Sequence, residues 1–172
     1  PGAAELAARI AASPHLTFGG LQAYHGAAQH MRQVEERRAA IRRAGELTRH
    51  TMELIALKGL SCDIVGGAGT GTFALEADSG VYNELQTGSY IFMDADYAAN
   101  QEAPPFRQSL FVLSEVMSAP RGAGRAVLDA GHKALPTDSG LPLVWGRPGL
   151  RYAGANDEHG TVAVEDAAVP AI

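Results

Sequence analysis

The chain has 172 residues, 46% of them hydrophobic and 19% charged, and a formal net charge of -5. That suits a globular protein of one domain, or of one domain and part of a second. It gives no support to nucleic-acid binding, which needs a basic face, and no apolar run approaches the about 18 residues that cross a bilayer.

Ala3 to Ala12 is alanine-rich and favours a helix that Ser13-Pro14 stops. Leu16 to Tyr24 reads as a strand bent at Gly19-Gly20, and a long helix is expected from about Gln29 to Lys58. Ile41, Ala44, Thr48, Met52 and Ile55 recur at spacings of three and four along it, one weakly apolar stripe. The pairs Arg37-Arg38 and Arg42-Arg43 lie in this helix beside Glu35 and Glu36 and read as a solvated mixed-charge face. Gly59 is placed to end the helix.

The run Cys62-Asp63-Ile64-Val65 reads as the next strand, Leu75 to Thr87 as irregular, and Tyr90-Ile91-Phe92-Met93 as a further strand. Beyond the loop through Pro104-Pro105, strands are expected at Leu110–Leu113 and Ala126–Asp129. Gly140 to Val164 reads as short antiparallel strands broken by Gly146, Pro148-Gly149, Gly154 and Gly160. A long helix between two strands is the mark of a βαβ crossover. The composition shift near Pro104–Ser118 therefore divides an α/β part, residues 1–108, from a β part, residues 109–172.

The chain starts at Pro1 and closes on Pro170-Ala171-Ile172 without a final helix, so an internal stretch of a longer polypeptide is expected. The N-terminus lacks the charged-then-apolar pattern of a leader. The single cysteine, Cys62, rules out an internal disulfide and fits a reducing, cytoplasmic setting. Its apolar surroundings make it a packed thiol rather than a nucleophile.

The chemistry concentrates after the second strand. Gly66-Gly67-Ala68-Gly69-Thr70-Gly71-Thr72 brings four glycines and two threonines together. Such a segment builds no core, but it can bring backbone N–H groups and hydroxyls close to an anion. Gly88-Ser89 is a second Gly–hydroxyl pair, expected at the start of the following strand. Two such pieces at successive strand ends form a phosphate grip, or else an unliganded Gly-rich turn. The loop lacks the Lys-Ser/Thr of a P-loop and the acidic partner of a dinucleotide site. A phosphate-bearing cofactor in a barrel mouth fits better.

Tyr24 ends another strand at the same rim, where its ring can stack on a planar cofactor or stand as a half-buried rim residue. His25, His30, His50, His132 and His159 show no metal-ligand spacing. Lys133 could form a Schiff base, yet it falls after the barrel strands. Asp94, Asp96 and Glu102 make an acidic loop, read as solvated rather than as a metal site.

Six segments carry a resemblance. They are Gly20–Gly26, Gly69–Thr72, the long block Ser79–Tyr90, Phe92–Tyr97, Asp138–Pro142 and Asp157–Gly160. In order and spacing the chain resembles the D-threonine aldolase and 3-hydroxy-D-aspartate aldolase family, related to eukaryotic-type D-serine dehydratase. The resemblance implies an alanine-racemase-like architecture: part of a pyridoxal phosphate (PLP)-binding (β/α)8 barrel, then part of an antiparallel β domain. It implies that Thr70, Gly88 and Ser89, with Gly71 of the same loop, hold the PLP phosphate. Tyr97 matches a further cofactor-binding tyrosine, Tyr24 lies by the pyridine ring, and Gln86 stands near the pyridine nitrogen. A Schiff-base lysine is then expected before Pro1, and a His-x-Asp or His-x-Cys motif for a divalent metal (Mg, Mn or Co) after Ile172.

The implied activity is cleavage of a D-β-hydroxy-α-amino acid to glycine and an aldehyde or glyoxylate, by a homodimer. Dehydration of D-serine or 3-hydroxyaspartate on the same scaffold, a non-catalytic PLP-binding barrel, and an inert partial chain are the competing readings.

Overall fold

A computed structural model describes residues 2–165. The chain ends considered above, Pro1 and Pro170–Ile172, lie outside the described residues. The chain divides into two compact units, Pro1–Gln108 and Ser109–Ile172.

In the first unit, helix α1 (Gly2–Ala11) precedes strand β1 (Gly20–Gln22) and a 3-10 helix, Gly26–His30. Helix α2 (Val34–Ala56) then leads to strand β2 (Ile64–Gly67). β1 and β2 pair in parallel, Gly20 against Ile64 and Gln22 against Gly66, so α2 is the crossover of a βαβ unit. After helix α3 (Phe73–Asp78), strand β3 (Glu84–Leu85) adds to the other side of β2, again in parallel, with Gly66 opposite Glu84. The sheet order is β1-β2-β3.

The amphipathic stripe explains where α2 lies. Ile41, Thr48 and Ile55 are buried, and Ala44 and Met52 are partly so. Ile55 packs with Ala4 and Ala7 of α1, and Met52 packs under Val65, Val81 and Tyr82. Cys62 touches both clusters, and burial, then the charge of Asp63, raise its thiol pKa. It is a packing residue.

Arg37 departs from the solvated face expected of it. It is only 2% exposed, and its guanidinium donates to the carbonyls of Met31, Arg32 and Gln101. Charge pattern alone does not show that three carbonyls from other segments converge on one position of the helix. Arg38, Arg42 and Arg43 are exposed.

The expected strand Tyr90–Met93 is not a strand. Ser89–Ile91 forms a 3-10 turn, and the Ser89 carbonyl accepts from the N–H groups of Phe92 and Met93. The sheet position falls instead to Glu84–Leu85, inside the stretch read as irregular, which also holds α3. Helix α4 (Ala95–Ala98) follows, capped by the Asp94 carboxylate on the Tyr97 N–H at 3.0 Å.

In the second unit, strands β4 (Val116–Ser118), β5 (Arg125–Leu128), β6 (Leu150–Ala155) and β7 (Gly160–Val164) form one antiparallel sheet in the order β4-β5-β7-β6. Its core is Ala130, Leu135, Tyr152 and Val162, with the Tyr152 hydroxyl donating to the Ala130 carbonyl at 2.7 Å. Leu110–Leu113, expected as a strand, forms no strand among the described residues; the Phe111 ring lies 5.2 Å from that of Trp145. The run has β-favouring side chains, but the sheet edge is taken by Val116–Ser118.

Candidate functional site

The C-terminal ends of the parallel strands surround one cavity of about 300 Å³. Gln22 and Tyr24 reach it from the end of β1, Ala68, Gly69 and Thr70 from the loop after β2, and Gln86, Gly88 and Ser89 from the chain after β3. Tyr97 of α4 completes the lining. The structure thus brings Tyr24, Thr70, Gly88, Ser89 and Tyr97 together. Gly71 is not in the lining; its N–H donates to the Gln29 side-chain carbonyl at 3.0 Å and is spent within the loop. Its hydrogen bond makes it part of the loop's support rather than of the surface a ligand touches.

The loop is folded to leave polar groups facing inward. Ala68 turns the chain at φ 68, a left-handed conformation that costs a residue with a Cβ about 1 kcal/mol. Thr72 and Phe73 direct their N–H groups to the Gly69 carbonyl. The N–H groups of Gly69 and Thr70 donate to no protein acceptor among the described residues. Thr70 is 1% exposed, and its Oγ1 is buried with no hydrogen-bond partner among the described residues. A buried hydroxyl without a partner is costly, so its place on a cavity wall points to a ligand that supplies the missing bond. Across the cavity, a Cβ added at Gly88 would meet nothing within 4 Å.

Beside Tyr97 of the lining stands an ion-pair cluster of Asp96 with Arg32 and His30. Burial pushes the Asp96 carboxyl up, but hydrogen bonding to Arg32, the Arg32 charge and His30 together hold it below its ordinary value. His30 Nδ1 stands 2.6 Å from Asp96 Oδ2, and its ring lies 5.4 Å from that of Tyr97. Burial raises the Tyr97 phenol pKa, and the neighbouring Ser89 hydroxyl offsets part of the shift. Tyr97 therefore presents a neutral O–H beside Ser89. Two amides of the lining are linked and anchored on a carboxylate: Gln22 Nε2 donates to Gln86 Oε1 at 2.6 Å, and Gln86 Nε2 to Glu84 Oε1 at 2.7 Å. Tyr24 is 50% exposed, with a ring face available.

The acidic loop divides its carboxylates among local partners: Asp94 caps α4, Asp96 binds Arg32, and Glu102 pairs with Arg38 at 3.3 Å. Among the described residues no group of three or more His, Cys, Asp or Glu is placed to hold a metal. Lys133 forms an ion pair with Glu158 in the second unit. Sequence reading missed Gln29, Asn100 and Glu76, all buried. Each is a polar residue in a short or irregular element, where periodicity carries no signal.

Known proteins resemble the chain closely. A D-threonine aldolase of Arthrobacter sp. is 48% identical over 157 residues, covering 90% of this chain and 41% of that protein. A 3-hydroxy-D-aspartate aldolase of Paracoccus denitrificans (strain Pd 1222) is 44% identical over 169 residues, covering 94% and 43%. The crystal structure of a D-threonine aldolase from Filomicrobium marinum superposes with a TM-score of 0.90 at 50% identity, over 95% of this chain and 44% of the other. The chain resembles these aldolases in both sequence and fold. It spans less than half the length of the curated aldolases it matches. The family profile described as "Putative serine dehydratase domain" matches residues 109–172. The fold is the alanine-racemase-like one that the aldolase resemblance implied, parallel α/β structure followed by an antiparallel sheet. No described helix is long and apolar enough to cross a membrane.

Proposed function

We propose that this chain supplies the phosphate grip of a PLP-dependent lyase that cleaves D-β-hydroxy-α-amino acids, D-threonine or 3-hydroxy-D-aspartate, to glycine and an aldehyde or glyoxylate. The observation that carries the reading is the buried, unpartnered Thr70 hydroxyl on a cavity shared with Gly88, Ser89 and Tyr97. The names of the similar proteins support the substrate class.

The residues fit the cofactor. Thr70 Oγ1 and the Gly69 and Thr70 N–H groups would face its phosphate from one side, with Gly88 and Ser89 on the other. Tyr24 offers a ring face, and Gln22 and Gln86 bring their linked amides to the same cavity. When bound, PLP draws electrons away from the bonds at the substrate's α-carbon. The residues seen here act by placement: they fix the tilt of the ring, which decides which of those bonds lies where it can break. They move no proton. A Schiff-base lysine and a divalent cation held by His-x-Asp belong to the same proposal, at positions before Pro1 and after Ile172.

The test is cofactor retention and product analysis in the complete protein that carries this sequence. Thr70→Val and Ser89→Ala each remove one hydroxyl from a charged ligand, a loss of about tenfold or more in PLP affinity. Unchanged affinity in both variants rejects the assignment. Glycine formed from D-threonine identifies the aldolase. The dehydratase reading, favoured by the profile over residues 109–172, predicts a keto acid and ammonia without glycine.

A further inference from the structure

Gln29 is 0% exposed and lies on the 3-10 helix Gly26–His30, outside the cavity lining. Both polar ends of its side chain bond the loop beyond β2. Oε1 accepts from the Gly71 N–H at 3.0 Å. Nε2 donates to Thr72 Oγ1 at 2.8 Å and to the His25 carbonyl at 3.3 Å. The Thr72 hydroxyl passes its own hydrogen to Glu76 Oε1 at 2.8 Å. The bonds have one direction: an amide donor, a hydroxyl that accepts and donates, and a carboxyl that accepts. Turning the amide over would set a donor against the Gly71 N–H.

Sterics confirm how closely the two segments fit. A Cβ at Gly69 would lie 2.5 Å from Gln29 Oε1, and one at Gly71 would lie 2.5 Å from the Gln29 carbonyl oxygen. The Gln29 backbone carbonyl also accepts from Asn100 Nδ2 at 2.9 Å, and Arg32 donates both to Asn100 Oδ1 at 2.7 Å and to the Asp96 carbonyl at 2.6 Å. The same residue therefore ties the Gly/Thr loop to the segment bearing Tyr97.

We propose that Gln29 is a positioning residue for anion binding: through Gly71 and Thr72 it sets the loop shape that leaves Thr70 Oγ1 and the adjacent N–H groups free for a phosphate monoester. The inference rests on the phosphate-grip reading above. It differs from a plain core role in one respect: loss of the brace harms recognition of the phosphate and spares recognition of the ring.

The experiment compares PLP with pyridoxal, which lacks the phosphate, by absorbance titration of the apo form of the complete protein. Gln29→Met keeps the side-chain length and removes both polar ends; Thr72→Val removes the hydroxyl from the other side; Thr72→Ser restores it. PLP affinity is expected to fall about tenfold in Gln29→Met and Thr72→Val, with pyridoxal affinity changed by less than about twofold and Thr72→Ser near the unsubstituted protein. Equal losses for both ligands, or no loss, overturn the inference and leave the phosphate grip standing. If Gln29→Met does not fold, Thr72→Val decides by the same ratio. An unsubstituted protein with no preference for PLP over pyridoxal overturns the phosphate grip itself, and the inference with it.

Discussion

Glu76 carries a carboxyl with Oε1 bonded by the Thr72 hydroxyl and Oε2 buried without a partner among the described residues. Burial pushes its pKa above the ordinary value of 4.5, and the hydrogen bonds from Thr72 and its own backbone, with the charge of His25, offset only part. A carboxyl with a raised folded pKa stabilises the protein fully below the unfolded pKa and loses that contribution as pH rises through the folded one. The complete protein should therefore lose stability above pH 4.5, and Glu76→Gln should flatten that decline. Urea midpoints measured up to about pH 8 read this directly; parallel curves for the two proteins would exclude the carboxyl as the source.

At the scale of the elements, the parallel sheet depends on one close approach. Gly20 adopts φ +145, and a Cβ there would stand 1.8 Å from the Ile64 carbonyl oxygen across the first rung of β1 and β2. Gly20→Ala should cost about 3 kcal/mol or more. Gly19→Ala, where a Cβ meets nothing within 4 Å, should stay within about 0.5 kcal/mol. Chemical unfolding of the pair in the complete protein checks the contrast, and equal losses would remove the steric account.

The elements also show where sequence reading succeeds and fails. The βαβ unit was legible because α2 carries a sustained apolar stripe between two strand-like runs. β3 was not, because its two residues are both exposed and show no alternation. Tyr90–Met93 and Leu110–Leu113 have strand-like side chains but belong to neither described sheet, and propensity does not register whether a sheet edge is already filled. Within the site, the Gly/Thr loop and Gly88-Ser89 announced themselves by composition. Gln29 did not: a lone glutamine looks like surface until Gly69 and Gly71 are seen packed against it.

Across the whole molecule, apolar side chains face outward in both units. Leu57 is 83% exposed and Leu47 50% in the first; Leu113 is 99%, Leu143 74% and Trp145 68% in the second. Exposed apolar area of this kind drives association in water. The 172-residue chain produced by itself should bind anilinonaphthalene sulfonate and self-associate on sedimentation. A monodisperse monomer that leaves the dye dark would show that these side chains find cover within the chain.

Gly66 lies between Gln22 and Glu84 in the strand register. A carbon added to it would stand 2.9 Å from Gln86 Nε2 and 3.2 Å from Gln22 Oε1. The depth of the basin above the sheet is therefore written in the reach of two glutamine arms across a bare notch, and not in the strands. Substitutions at Gln22 and Gln86 can raise or lower that basin while the pairing of β1, β2 and β3 beneath stays as it is.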